Sequence, residues 1–221
     1  GLPRSGSTLI EKLISSCDKN IKTGEETCII TNFISNQIDN NQNFFNNIEI
    51  AKKKIISDYF DRGLIGNEKI NIFTDKTLSN FHFIKFIIEI FPSAKFINCN
   101  RNPVAVIISI LKNNLTKISW AHNLSDIFQY FDIYFSTIDK IKTNFSECFY
   151  DIEYEKLVEN QETELKKLFK FCKFDWDKKC LEFYKDNFVS LTASNINVRK
   201  PIFKDSINTY LNYKKFLDKY G

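Results

Sequence analysis

The sequence predicts a three-layer α/β/α protein built around a central parallel sheet. Short apolar runs at residues 69–73 and 95–99 alternate with helical stretches at 81–91 and 104–112, the strand–helix–strand–helix order of a parallel sheet. A glycine-bearing turn over residues 1–8 runs straight into a helix. Pro103 stands where another helix begins, its missing N–H harmless in a first turn.

Each element has its own signal. Leu9, Ile10, Leu13 and Ile14 share one face of the helix that follows the opening turn. Residues 29–60 are polar and rich in Asn and Gln, and read as helices with loops. The helix over 81–91 stops at Pro92. Leu124, Phe128, Phe131, Phe135 and Ile138 recur at helical spacing, which predicts one long amphipathic helix facing the sheet. Residues 148–152 read as a further strand, and Leu165, Leu168, Phe169 and Cys172 as another helical stripe. Asp175 or Asp177 is placed to cap a helix carrying Leu181 and Tyr184. Residues 192–201 read as a polar loop leading to a short C-terminal helix.

Composition narrows the function. The chain has 221 residues, 43% hydrophobic and 26% charged, with 22 Phe, which predicts one globular domain over 1–221 with a single large core. Lys and Arg number 31 against 27 Asp and Glu, scattered rather than in blocks, so no nucleic-acid partner is expected. No apolar run reaches the roughly 18 residues of a membrane span, and no leader-like segment opens the chain, so a cytoplasmic protein without membrane contact is expected. The six cysteines form no C-x-x-C pair, which predicts reduced, buried thiols and no metal site. The chain contains no Met and opens directly on a loop, so a piece of a longer protein is expected, its first strand lying ahead of Gly1.

Gly1-Leu2-Pro3-Arg4-Ser5-Gly6-Ser7-Thr8 has the glycines and terminal hydroxyl of a phosphate-binding loop, with Ser7 at the position that usually holds lysine. Backbone N–H groups and the positive helix end still suit phosphate or sulfate, and Arg4 with the Ser5, Ser7 and Thr8 hydroxyls adds a cation and donors. The loop argues for the P-loop NTPase-like version of the three-layer fold. Without the lysine, which reaches the outer phosphates of a triphosphate, an ATP- or GTP-hydrolysing enzyme is disfavoured. A second cluster follows the strand at 95–99. Arg101 leaves the strand end, where ligands of open parallel sheets sit, and Ser109 lies about two helical turns beyond.

Together, residues 1–8, Arg101-Asn102-Pro103 and Ser109 resemble the 5′-phosphosulfate loop and 3′-phosphate motif of sulfotransferases that use 3′-phosphoadenosine 5′-phosphosulfate (PAPS). Thr23-Gly24-Glu25-Glu26-Thr27 resembles the segment of tyrosylprotein sulfotransferases whose first glutamate is the catalytic base, and Asp75-Lys76 resembles their catalytic-lysine segment. Tyr154-Glu155-Lys156-Leu157-Val158 resembles their nucleotide-contacting Tyr-Glu-x-Leu-Val, and Val198-Arg199-Lys200-Pro201 a late cofactor-covering loop. The stretch from Phe174 to Pro201 looks most like bacterial members, which often carry tetratricopeptide repeats ahead of this domain. The chain departs from the animal enzymes in lacking a membrane anchor and clear paired cysteines, and in having Ser7 where threonine is usual.

The resemblance implies sulfuryl transfer from PAPS to a hydroxyl of a peptide or glycan, with protein tyrosine the favoured acceptor and no metal. It assigns Glu25 as general base and Lys76 and Arg4 as stabilisers of transition-state charge. Arg4, Ser5, Gly6, Ser7 and Thr8 would hold the 5′ end of the donor; Arg101, Ser109, Arg199 and Lys200 the 3′ end; Tyr154 the nucleotide. A carbohydrate or small-molecule acceptor is the rival within the family. A P-loop kinase or a non-catalytic nucleotide-binding module is the alternative outside it.

Overall fold

Helices and short parallel strands alternate along the chain. The computed structural model describes residues 1–18, 20–40, 47–66, 72–185 and 208–213. In order these are α1 (Ser7–Cys17), β1 (Ile21–Thr23), α2 (Ile29–Asp39), α3 (Ile48–Asp61), β2 (Ile72–Thr74), α4 (Ile84–Ile90), β3 (Phe96–Asn100), α5 (Pro103–Asn113), α6 (Leu124–Asn144), β4 (Phe149–Glu153), α7 (Tyr154–Glu159) and α8 (Gln161–Cys172). Short 3-10 helices lie at Leu78–Phe83, Lys178–Lys185 and Thr209–Tyr213. The helix expected over 81–91 is thus a 3-10 turn followed by α4. The expected loop at 192–201 lies outside the described residues.

The strands form two parallel pairs. In one, Ile21 faces Ile72 and Thr23 faces Thr74; in the other, Phe96 faces Phe149 and Asn100 faces Glu153. Between β2 and β3 lies a cavity of about 730 Å³, with Thr74 on one wall, Cys99 on the other and Gly1 at its margin. Side chains alternate across β3 and β4 as the pleat requires. Ile97, Cys99, Tyr150 and Ile152 pack with α1, α7 and α8, whereas Phe96 and Phe149 pack with α5 and α6. Helices therefore cover both faces, giving the three layers.

The single core expected from composition is divided. Apolar side chains gather in three clusters, because the strands separate the α1–α8 side from the α5–α6 side and α2 and α3 form a third nucleus around Ile34, Ile55 and Tyr59. Two helices also differ from the sequence pattern. In α1, Glu11 and Lys12 are buried along with Leu9, Ile10, Leu13 and Ile14, so the helix is enclosed on all sides instead of on one face. In α6 the buried stripe is Ile127, Phe131, Tyr134, Ile138 and Ile141, while Phe128 and Phe135 are 37% and 38% exposed. Tyr134 turns inward because its hydroxyl reaches Asn98 Oδ1 on β3.

Caps sharpen the remaining boundaries. Asn102 Oδ1 accepts the Ala105 N–H at 3.2 Å with Pro103 in the first turn of α5, and Asn123 Oδ1 accepts the Asp126 N–H at 2.9 Å at the start of α6. Of the two candidate caps near 176, Asp177 serves, accepting the Lys179 N–H at 2.9 Å. The expectation of six reduced thiols is corrected for one pair. Cys17 at the end of α1 and Cys180 are joined as a disulfide with Cα atoms 4.8 Å apart. Residues 163 positions apart meet only because the 3-10 helix at 178–185 packs on α1, so no local spacing announces the pair. Cys28, Cys99, Cys148 and Cys172 are free thiols. No described helix is long and apolar enough to cross a membrane.

Candidate functional site

The opening loop is shaped for an anion. Gly6 has φ 108°, and a Cβ there would lie 2.7 Å from Cδ2 of Tyr154, so both backbone conformation and packing call for glycine. Arg4 also adopts a left-handed φ of 68°, a strained conformation for a side-chain-bearing residue. The first turn of α1 carries neither an acidic residue nor a side-chain cap, so its leading N–H groups face the loop. Ser5 is 1% exposed, and its Oγ has no hydrogen-bond partner. Thr8 is buried and Ser7 half-buried in the same turn.

The residues from the end of β3 converge on this loop. Arg101 Nη1 donates to the carbonyl oxygen of Arg4 at 3.0 Å, and Arg4 Nε donates to Ser109 Oγ at 3.1 Å. The guanidinium of Arg101 sits 4.5 Å from the ring centre of Tyr154, whose ring also lies against Gly6. Loop, Arg101, Ser109 and Tyr154 thus form one surface. Ser109 joins this surface through its bond to Arg4. Burial and the nearby Arg101 charge push the Arg4 guanidinium down from its ordinary pKa, against the opposing influence of Tyr154 and Glu26.

Glu26 leads to the second half of the site. The turns at 24–28 and 74–77 are stitched together: Gly24 N–H donates to Thr74 Oγ1 at 3.3 Å, Lys76 N–H to Glu25 O at 3.1 Å and Cys28 N–H to Thr77 Oγ1 at 3.0 Å. Gly24 is obligatory here, because a Cβ would stand 2.0 Å from the Thr74 carbonyl oxygen. Glu25, at φ 54°, points its carboxylate at Lys76, with Oε2 2.9 Å from Nζ. Glu26 Oε1 is 3.4 Å from the same nitrogen, so the adjacent carboxylates share one cation. Burial favours neutral Lys76, but the carboxylates of Glu11, Glu26 and Glu25 outweigh it and raise its pKa.

Every predicted site residue within the described part falls in these two linked clusters. Arg199 and Lys200 lie outside the described residues. Residues from α1, from β2 and from the turn after it complete the second cluster. Glu11, from α1, accepts a hydrogen bond from Thr74 Oγ1 at 2.5 Å and lies 3.7 Å from Lys76 Nζ. Asp75 accepts from the Thr77 N–H at 2.7 Å, from Asn80 Nδ2 at 2.9 Å and from the Tyr59 hydroxyl, which fixes the turn carrying Lys76. The only available hint was two charged residues inside the apolar stretch of α1. Among the described residues no cluster of His, Cys, Asp and Glu is arranged to hold a metal ion.

Comparison with known proteins follows the same lines. Residues 1–178 match the model of a family described as the sulfotransferase family. An uncharacterized protein of Aquifex aeolicus (strain VF5) is 27% identical over 231 aligned residues, covering 98% of this chain and 30% of that protein. The chain therefore spans less than a third of that relative's length. Among solved structures, the sulfotransferase domain of the Synechococcus PCC 7002 olefin synthase aligns with a TM-score of 0.63 at 17% identity, covering 100% of this chain and 92% of that domain. The sulfotransferase domain from the curacin biosynthetic pathway aligns with a TM-score of 0.67 at 15% identity, covering 100% and 95% respectively. The likeness to these structures is one of fold.

Proposed function

Because the chain belongs to the sulfotransferase family, we propose that it is one domain that transfers the sulfuryl group of PAPS to an acceptor hydroxyl, with a tyrosine of a peptide or protein as the favoured acceptor. The observation that carries this reading is the Glu25–Lys76 ion pair at 2.9 Å, linked through α1 and Glu26 to the anion-binding loop. A carboxylate and an ammonium side by side supply the two things sulfuryl transfer needs: a base for the acceptor and a cation for the leaving group.

The residues present fit the donor. The uncapped first turn of α1, the unpartnered Ser5 Oγ and Arg4 suit its 5′-phosphosulfate, while Arg101 and the Tyr154 ring suit the 3′-phosphate and the nucleoside. Arg199 and Lys200 are assigned to the same 3′ end. Binding of this anion offers Lys76 a new partner, which frees the Glu25 carboxylate to face the acceptor. As the acceptor oxygen bonds to sulfur, its proton passes to Glu25. The bond from sulfur to the bridging oxygen breaks, and its electron pair stays on that oxygen. Lys76, Arg4 and the loop N–H groups stabilise the resulting charge on the departing 3′,5′-bisphosphate.

A carbohydrate or small hydroxyl compound is the second acceptor reading, favoured by the fold likeness to a domain of an olefin synthase and a domain of a biosynthetic pathway. Outside the family, Ser7 at the lysine position speaks against a kinase, and the Glu25–Lys76 pair against a purely binding module. The proposal includes a cytoplasmic location, where the Cys17–Cys180 bond would be exposed to reduction, and tetratricopeptide repeats as neighbours in the whole protein. The test is transfer of radiolabelled sulfate from PAPS to panels of tyrosyl peptides, glycans and small phenols or alcohols. Labelling of one panel that is lost in Glu25→Gln supports the reading. Absence of labelling in all panels, with PAPS bound, sinks it.

A further inference from the structure

Glu11 has no part in the reaction as written, yet it occupies the space between the anion-binding helix and the reacting pair. It is 4% exposed and lies one turn into α1, below Lys76. Its Oε1 is pinned by Thr74 Oγ1, and that threonine in turn receives the Gly24 N–H, next to Glu25. Its Oε2 has no hydrogen-bond partner and is the atom 3.7 Å from Lys76 Nζ. A carboxylate held this deep is expensive unless a cation balances it. The side chain is therefore fixed by one oxygen and reserves the other for the lysine.

We propose that Glu11 is a positioning residue, a fixed internal counter-ion that keeps Lys76 charged and in place while Glu25 leaves it to serve the acceptor. The inference rests on the sulfuryl-transfer reading above and deepens it. Three carboxylates surround Lys76, but they are not equivalent. Glu26 is exposed on its side chain by 37% and Glu25 is assigned to the acceptor, so Glu11 alone is both enclosed and committed to nothing else. Without it, the freed lysine would keep only the more exposed Glu26 carboxylate as counter-charge.

Burial pushes the pKa of Glu11 up to about 7, with Glu25 and Asp75 adding to the rise and Lys76 and the Thr74 hydrogen bond opposing it. Its hold on Lys76 is then complete above neutrality and weakens below it. The groups facing Glu11 are Lys76, Glu25, Asp75 and Thr74.

Glu11→Gln in the intact natural protein tests this, because glutamine keeps the shape and the acceptor for Thr74 while removing the charge. Binding of 3′-phosphoadenosine 5′-phosphate should stay within about threefold of wild type. Turnover should fall about tenfold at pH 8, and the limb of the wild-type pH–rate profile near pH 7 should flatten. A residue that merely fills space would leave both unchanged in the glutamine variant, and that result overturns the proposal. Thr74→Val, which keeps the charge but frees the carboxylate from its anchor, should lower turnover severalfold with the donor KM unchanged. A readout independent of chemistry is the Lys76 Nζ resonance in protein labelled with ¹⁵N-lysine. Its titration should move to lower pH in Glu11→Gln, and an unmoved titration overturns the proposal. A wild-type protein that transfers no sulfate while this shift is present rejects the sulfuryl-transfer reading alone and leaves the Glu11–Lys76 coupling standing.

Discussion

Arg101 fastens the end of β3 to the opening loop, its Nη1 donating to the Arg4 carbonyl oxygen at 3.0 Å across 97 positions of sequence. Two motifs that read as separate therefore present one face, with the Tyr154 ring between Arg101 and Gly6. The distance from the loop to the arginine is short enough for a single nucleotide to touch both.

Arg101→Ala should weaken 3′-phosphoadenosine 5′-phosphate at least about tenfold, since a charge-assisted hydrogen bond contributes on the order of 1.5–3 kcal/mol. ADP, which has no 3′-phosphate, should lose less. Titration calorimetry with both ligands decides the matter, and an equal loss for the two contradicts the 3′ assignment.

Glu25→Gln should retain donor affinity and lose roughly 10²- to 10⁴-fold in turnover, the usual weight of a general base. Single-turnover transfer to the best acceptor measures it. Turnover close to wild type would remove Glu25 from the proton transfer.

Glu11 also predicts a pH dependence of stability. Its folded-state pKa of about 7 lies above the ordinary value of 4.5, so between these pH values the folded protein keeps a proton that the unfolded chain has released. Stability from this group therefore falls as pH rises through the window and levels off above it. Glu11→Gln lacks the penalty. Its stability relative to wild type should rise from pH 5 to pH 8 by up to about 3 kcal/mol, at about 1.36 kcal/mol per unit. Urea denaturation at the two pH values tests the sign, and a constant difference would count against the buried, titrating carboxylate.

The Cys17–Cys180 bond closes a loop with a sequence separation of 163. On a chain-entropy estimate such a closure stabilises by up to about 5 kcal/mol. Alkylation of the unreduced, denatured protein should label four cysteines and alkylation after reduction six. Reduction should also lower the melting temperature by several degrees. Labelling of all six without reductant would show that the bond does not form.

The cluster of the opening loop, Arg101 and Tyr154 was legible because its signals are local. Glycines at fixed spacing, an arginine before an N-terminal proline and a tyrosine at a strand end are each visible within a few residues. Glu25 and Lys76 were legible only through family likeness, since residues 51 positions apart have no common pattern. Glu11 and Thr74 were not, because apolar periodicity assigns one wet face to each helix and α1 has none. In α6 the same reasoning picked Phe128 and Phe135 by their helical spacing, while the hydrogen bond from Tyr134 to Asn98 goes with a helix face that buries Ile127, Tyr134 and Ile141 instead. The disulfide depends on the docking of the 3-10 helix at 178–185 and so on tertiary structure entirely.

Among the described residues β2 pairs with β1 and β3 with β4, so the flanks of β2 and β3 that border the cavity have no strand beside them. Such flanks accept almost any extended polypeptide that comes within reach. Self-association through these flanks is therefore expected, and a short apolar peptide able to lie in the opening should suppress it.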